Sequence, residues 1–265
     1  MPEGQQEQRT LAVFIDFENL ALGFEDKKKS KKETNGQTTF DIHKVLGRLV
    51  EKGKVVVKTA YADWHRFFKH REPLHEAGIE LIEIPKRSQT GKNSADIRLC
   101  VDAMDMCYAK EHIDTFVIIS GDSDFAPLVA KLKENGKYVI GLGMRESTSA
   151  LLSENCDEFI YYEELDKIET TDQKAEQSLP KELRDCFDLL FDSIRALIRE
   201  NHEVLGSSIV KDTMKLKRPS VSESLYGYKS FSELLEDAER RGFITIRKNP
   251  RSGTYVVVGF TDKMK

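Results

Sequence analysis

No apolar stretch in this chain of 265 residues approaches the ~20 residues that a bilayer-spanning helix needs, so a membrane span is not expected. The opening residues Met1-Pro2-Glu3-Gly4-Gln5-Gln6 are polar and lack the basic-then-apolar order of a secretory leader. Only four cysteines occur (Cys100, Cys107, Cys156 and Cys186), with no CxxC pair and no metal-ligand spacing. That argues against a disulfide scaffold or zinc site and suits a reducing cytoplasm. The six histidines form no HxxxH, and His65, His70 and His75 read as solvated helix residues. A GxxxxGK[ST] loop is missing too, which excludes a nucleoside triphosphatase of that kind.

What remains is a chain with 39% hydrophobic and 32% charged residues, enough apolar material for a globular core. Its length exceeds a usual single domain of roughly 100–200 residues, so two domains are expected. The net charge of −4 conceals an asymmetry. Residues 179–265 carry 16 Lys+Arg against 13 Asp+Glu, net +3, leaving 25 against 32, net −7, for residues 1–178. An acidic first part and a mildly basic second part fit a catalytic unit joined to a nucleic-acid-facing one.

Residues 11–16, 54–62, 79–84, 115–120, 137–143 and 158–161 read as short apolar strands. Helical patterns at 41–52, 65–77, 94–110, 124–135 and 147–155 alternate with them. This order predicts an α/β fold, a mostly parallel sheet covered on both faces. Asp41 and Asp63 stand where helix N-caps belong, and Gly78 and Gly136 where C-caps belong. Residues 25–38 have no apolar side chain and carry Lys27, Lys28, Lys29, Lys31 and Lys32, so a solvated loop is expected there. Its place just after the first strand leaves phosphate contact open.

Acids and amides gather where the strands end. The run 11–15 closes on Asp16-Phe17-Glu18-Asn19, and the run 116–119 on Ser120-Gly121-Asp122-Ser123-Asp124-Phe125. Between them, Lys92-Asn93-Ser94-Ala95-Asp96 opens a long helical pattern. Ligands bind outside the carboxyl ends of parallel strands. Carboxylates collected there repel one another unless a cation offsets them, and hard oxygen donors favour Mg²⁺ or Mn²⁺. Asp16, Asp96, Asp122 and Asp124 are the candidate metal ligands and catalytic residues, with Asn19 beside them. Each also has a local reading: a strand-end turn for Asp16, a helix N-terminal acid for Asp96, and a cap for Asp122 or Asp124. Lys92 and Arg98 are candidate phosphate contacts or surface ion-pair members, and Ser120 is placed to orient a water or a phosphate. Glu18 is expected to turn away from the site on an extended segment. Asp102 and Asp105 should lie on other faces of their helix from Asp96.

Residues 163–180 are polar and read as a linker. Beyond them, 181–201 forms an amphipathic stripe of Leu183, Phe187, Leu190, Phe191, Ile194 and Ile198. Helical patterns at 207–216 and 231–241, the latter capped by Ser230, precede two alternating strands at 243–246 and 254–258. Three helices and a hairpin are the plan of a winged helix. Lys211, Lys215, Lys217, Arg218, Arg240, Arg241, Arg247, Lys248 and Arg251 are candidate phosphate contacts. Tyr226 and Tyr228 either stack on bases or pack on the third helix.

On Asp16-x-x-Asn19, Lys92-x-x-x-Asp96 and Ser120-Gly121-Asp122-Ser123-Asp124-Phe125, residues 11–162 resemble the NYN domain, a branch of the PIN-like nucleases. On the helical pattern, Phe231-x-x-Leu234-Leu235 and the closing strands, residues 180–258 resemble the OST-HTH domain, also called LOTUS. The pairing resembles that of bacterial proteins. It implies a PIN-like doubly wound domain at 1–165, a linker at 166–179 and a winged helix at 180–265. The activity implied is that of a cytoplasmic, Mg²⁺- or Mn²⁺-dependent endoribonuclease acting on RNA and leaving 5′-phosphate and 3′-hydroxyl ends. A catalytically silent RNA- or protein-binding adaptor is the other reading. A winged helix also docks protein helices, so a protein partner or dimerisation through the C-terminal domain stays open.

Overall fold

A computed structural model describes residues 9–30, 40–84, 94–165, 181–250 and 252–261. The chain divides into two compact units, one of residues 1–49 and 53–166, the other of 50–52 and 167–265. The linker expected at 166–179 lies outside the described residues, as do Lys31, Lys32, Lys92 and Arg251. Among the described residues, no helix is long and apolar enough to cross a membrane.

The first unit is a doubly wound α/β sheet. Strands β1 (Thr10–Asp16), β2 (Lys54–Ala62), β3 (Glu80–Glu83), β4 (Thr115–Ile119), β5 (Tyr138–Gly143) and β6 (Glu158–Tyr161) form one six-stranded sheet. Their spatial order is β3-β2-β1-β4-β5-β6, and every neighbouring pair is parallel. The central strands are buried on both faces, which is why their sequences are continuous apolar runs. Alternate residues feed two separate cores. Leu11, Val13, Ile15, Val117 and Ile119 pack with helices α1 (Phe17–Ser30) and α2 (Ile42–Lys52) and with Leu74 of α3 (Phe68–Glu76). Ala12, Phe14, Phe116 and Ile118 pack with helices α4 (Ser94–Ala109), α5 (Ala126–Glu134) and α6 (Ala150–Asn155) on the other side. A one-turn helix α7 (Tyr162–Leu165) ends the unit.

Local chemistry sets the boundaries. The Asp41 carboxylate accepts the His43 N–H at 2.9 Å and caps α2. Gly78 and Gly136 follow α3 and α5 with φ of 68° and 73°, a conformation that glycine adopts without the Cβ penalty. Asp63 accepts the His65 N–H and caps a turn ahead of α3, which begins only at Phe68.

Two expectations fail here. Residues 25–38 were expected to be a loop, but the backbone of 25–30 is helical, as the end of α1, while 31–38 lie outside the described residues. Phe17, Leu20 and Phe24, three and four residues apart, are all buried and hold that helix on the sheet. His70 is half-buried rather than solvated, its ring 5.1 Å from that of Phe17.

The second unit comprises α8 (Lys181–Arg199), β7 (Leu205–Gly206), α9 (Ser207–Lys217), α10 (Phe231–Arg240), β8 (Ile244–Lys248) and β9 (Tyr255–Phe260). Its small antiparallel sheet has the order β7-β9-β8. This is the element order of a winged helix, with β8 and β9 as the wing. Phe187, Leu190, Phe191 and Ile194 of α8 meet Val210, Leu234, Leu235, Phe243 and Val257 in one core. Ser230 caps α10 through the Glu233 N–H. Ile198, expected on the buried stripe, is 46% exposed, and Leu197, three residues on from Ile194 and on the same face, is buried in its place.

Candidate active site

The strand order reverses between β1 and β4, and the crevice at their carboxyl ends holds the candidate site. Asp16 is the last residue of β1 and only 4% exposed. Its Oδ1 accepts the Asn19 N–H at 3.2 Å and its Oδ2 accepts the Ser120 hydroxyl at 2.9 Å. Ser120, fully buried just past β4, accepts the Asp122 N–H at 3.1 Å through the same hydroxyl oxygen. Asn19 sits in the first turn of α1, and its Oδ1 accepts the Gly121 N–H at 2.8 Å. One serine and one asparagine thus tie the end of β1 to the loop after β4.

That loop is held tightly. Asp122 caps a short 3-10 turn, Ser123–Phe125, by accepting the Asp124 N–H at 3.0 Å. The Ser149 N–H donates to the Gly121 carbonyl at 2.9 Å. A Cβ on Gly121 would come within 2.5 Å of the Ser147 carbonyl oxygen, so only glycine permits this approach.

Asp96 lies in the first turn of α4, one of whose faces, that of Leu99, Ala103 and Cys107, packs on the sheet. At ~100° per residue Asp96 falls on that same face, which aims it at the crevice. The electrostatics link these acids. Burial pushes the Asp16 carboxyl up to about 7, against the Asn19 and Ser120 hydrogen bonds, with Asp96 and Glu18 adding to the rise. Burial also raises Asp96 to about 6, followed by the charges of Asp122, Asp124 and Glu18. Asp16 and Asp96 are thus held in the field of the neighbouring acids, where their charged forms are disfavoured.

Several sequence expectations meet this geometry. Asp16, Asn19, Ser120, Asp122, Asp124 and Asp96 are brought to the same crevice. Glu18 is a correction: α1 begins at Phe17, so the alternation of an extended chain does not apply. Glu18 accepts the Asp63 N–H at 3.1 Å, lies 3.7 Å from Arg66, and its charge acts on both Asp16 and Asp96. The buried Phe17, Leu20, Phe24 spacing would have shown the helix, and with it Glu18 in its first turn. Asp102 faces elsewhere, accepting the Tyr61 hydroxyl at 3.0 Å and pairing with Arg98 at 2.9 Å, and Asp105 is exposed. Lys92 lies outside the described residues.

The donor set suits a hard divalent cation in chemistry and charge. Spacing is another matter: among the described residues, no three His, Cys, Asp or Glu side chains are gathered closely enough to hold one ion.

In the second unit, four of the basic candidates are engaged by acids of the same unit. Lys211 pairs with Glu223 at 2.6 Å, Lys217 with Asp192 at 2.7 Å, and Arg240 and Arg241 with Asp237 at 3.1 and 2.8 Å. Lys215, Arg218, Arg247 and Lys248 are exposed. Tyr228 is half-buried and donates to Asp237 of α10 at 2.7 Å, and Tyr226 packs on the same core. Of the two readings of these tyrosines, packing on the third helix and its core is the one the structure shows.

Residues 10–166 match the NYN domain family. An uncharacterized protein of Methanocaldococcus jannaschii is 29% identical over 150 residues, which cover 57% of this chain and 54% of that protein. The chain thus spans about half the length of this curated relative. A crystal structure of a protein of unknown function from Vibrio parahaemolyticus is similar at 22% identity with a TM-score of 0.48. The likeness covers 60% of this chain and 96% of that one. With the family match covering more than half of its length, the chain belongs to the NYN domain family, a branch of the PIN-like nucleases.

Proposed function

We propose that the protein is a metal-dependent endoribonuclease that cleaves RNA phosphodiesters, with its catalytic domain at 1–165 and an RNA-binding winged helix of the OST-HTH (LOTUS) kind at 180–265. One observation carries the reading: Asp16, an acid kept almost wholly from water, faces further acids at the sheet's switch point. A fold without use for that charge would replace it, since a buried carboxylate without a counter-charge is costly.

Asp16, Asp96, Asp122 and Asp124 are the residues that would hold Mg²⁺ or Mn²⁺. Bound there, such an ion supplies charge to offset the scissile phosphate and lowers the pKa of an attacking water. Ser120 and the Asn19 N–H fix the orientation of the Asp16 carboxylate. Asn19 sets the distance between the β1 end and the Asp122 loop through Gly121. Lys92 is proposed to contact substrate phosphates near the start of α4, whereas Arg98 makes the surface ion pair with Asp102 on another face of that helix. The exposed Lys215, Arg218, Arg247 and Lys248 give the second unit a sequence-independent grip on the RNA backbone.

The spacing of the acids favours one alternative, a catalytically silent RNA- or protein-binding adaptor, because three ligands are not gathered among the described residues. Incubating the pure protein with labelled RNAs separates the two. Cleavage in Mn²⁺, absent in chelator and absent in Asp122→Asn, with products carrying 5′-phosphates, supports the nuclease. Binding without cleavage under every metal condition supports the adaptor.

A further inference from the structure

Helix α4 carries apolar residues on two faces, and among the described residues only one of them is covered. Leu99, Ala103 and Cys107 are buried against the sheet. On the outer side, Ile97, Val101 and Tyr108 are 63%, 58% and 67% exposed, and Met104 between them is half-buried, resting partly against the core beneath the helix. At ~100° per residue, these four project within about 60° of one another. A solvated helix face is polar, whereas one that is apolar all round is a buried one. The 4-3-4 spacing is that of the a and d positions along the seam of two packed helices.

We propose that this face is a homodimer interface in which α4 of a second copy packs antiparallel about a twofold axis. The occupant follows from self-complementarity. An antiparallel twofold centred between Val101 and Met104 sets Ile97 opposite Tyr108 of the second copy and Val101 opposite its Met104. Each contact then occurs twice, as an isologous interface requires. The charges match in the same register. Asp105 and Arg98, the latter paired with Asp102 of its own helix, are both exposed and lie on the same flank of the stripe. The twofold brings each Arg98 to within about 3 Å, along the helix direction, of Asp105 of the second copy, at 1.5 Å rise per residue. A parallel arrangement would place the Arg98 and Asp105 of the two copies on opposite flanks of the seam, where no such pair forms. Asp96 lies on the sheet-facing side of α4, so the proposed interface leaves the acidic crevice open.

Sedimentation equilibrium of the full chain across a wide concentration range tests this. The expected result is a dimer of 30.3 kDa chains. Val101→Glu should give a monomer that still unfolds cooperatively, with a melting temperature that no longer depends on protein concentration. Arg98→Asp or Asp105→Arg alone should weaken the dimer by roughly tenfold, the factor that a loss of 1.4 kcal/mol produces. The two together should restore it, which a nonspecific loss of folding would not do. A monomer at every concentration overturns the proposal. So does a dimer indifferent to Val101→Glu, which would place the contact elsewhere, for example in the second unit. An unchanged mass with weakened RNA binding in Val101→Glu would assign the face to RNA and equally overturn it.

Discussion

Replacing Asp16 with Asn removes the buried charge while keeping an oxygen to accept the Asn19 N–H and a group able to meet Ser120. The sign of the effect follows from the carboxyl's rise from 3.8 to about 7 on folding. A raised folded pKa means stability that is fully present below about pH 4 and is lost progressively as pH climbs toward 7. A difference of about 3 units corresponds to roughly 4 kcal/mol at most, because one unit is 1.36 kcal/mol. Asp96 contributes part of that rise, so a gain of about 2–4 kcal/mol is expected for Asp16→Asn at pH 8 without divalent cations. The gap should close toward pH 4. Trp64, the chain's one tryptophan, is buried with its ring 5.2 Å from that of Phe17, so its fluorescence reports unfolding of the first unit. Urea titrations in chelator at pH 4 and pH 8 give the comparison. Equal midpoints at pH 8, or a gap that is the same at both pH values, would refute the reasoning.

Three further outcomes follow from the same geometry. Adding Mn²⁺ should raise the unfolding midpoint of the wild type and much less that of Asp122→Asn, since a ligand bound to the native state stabilises it; identical midpoints in Mn²⁺, Mg²⁺ and chelator would remove the shared metal site. Gly121→Ala should destabilise by about 1–3 kcal/mol, the usual cost of overpacking, because its Cβ meets the backbone oxygen of Ser147 and has no flexible neighbour to displace; thermal melting checks it, and an unchanged midpoint would show that the loop shifts freely. Changing Arg247 and Lys248 to Ser should leave stability intact and lower the salt slope of single-stranded RNA binding by roughly 0.7 for each phosphate no longer neutralised, read from affinity against salt concentration.

The parts of the fold that were legible are those in which burial is total. β1 and β4 are apolar throughout because both faces of the sheet are covered, and their boundaries at Asp16 and Ser120 were evident for the same reason. Helix α1 was obscured by its lysine-rich second half, which outweighed the Phe17, Leu20, Phe24 repeat that fastens it. Glu18 was lost with it. Ile198 and Leu197 are adjacent and both apolar, so hydrophobicity alone does not tell which of them faces the core. The basic residues of the second unit were the least legible. A lysine's sequence position does not reveal that Glu223 or Asp192 lies within reach of it, since those pairs are made across the fold. The acidic site fared better, because its carboxylates sit at strand and helix ends whose positions the apolar runs already define.

The central claim is that the Asp16 carboxylate and its acidic neighbours cleave RNA, and the cleavage rate of Asp16→Asn in saturating Mn²⁺ tests it most directly. The account predicts a variant that folds at least as stably as the wild type, binds RNA as well, and does not cut it. A variant that cuts at the wild-type rate would contradict it.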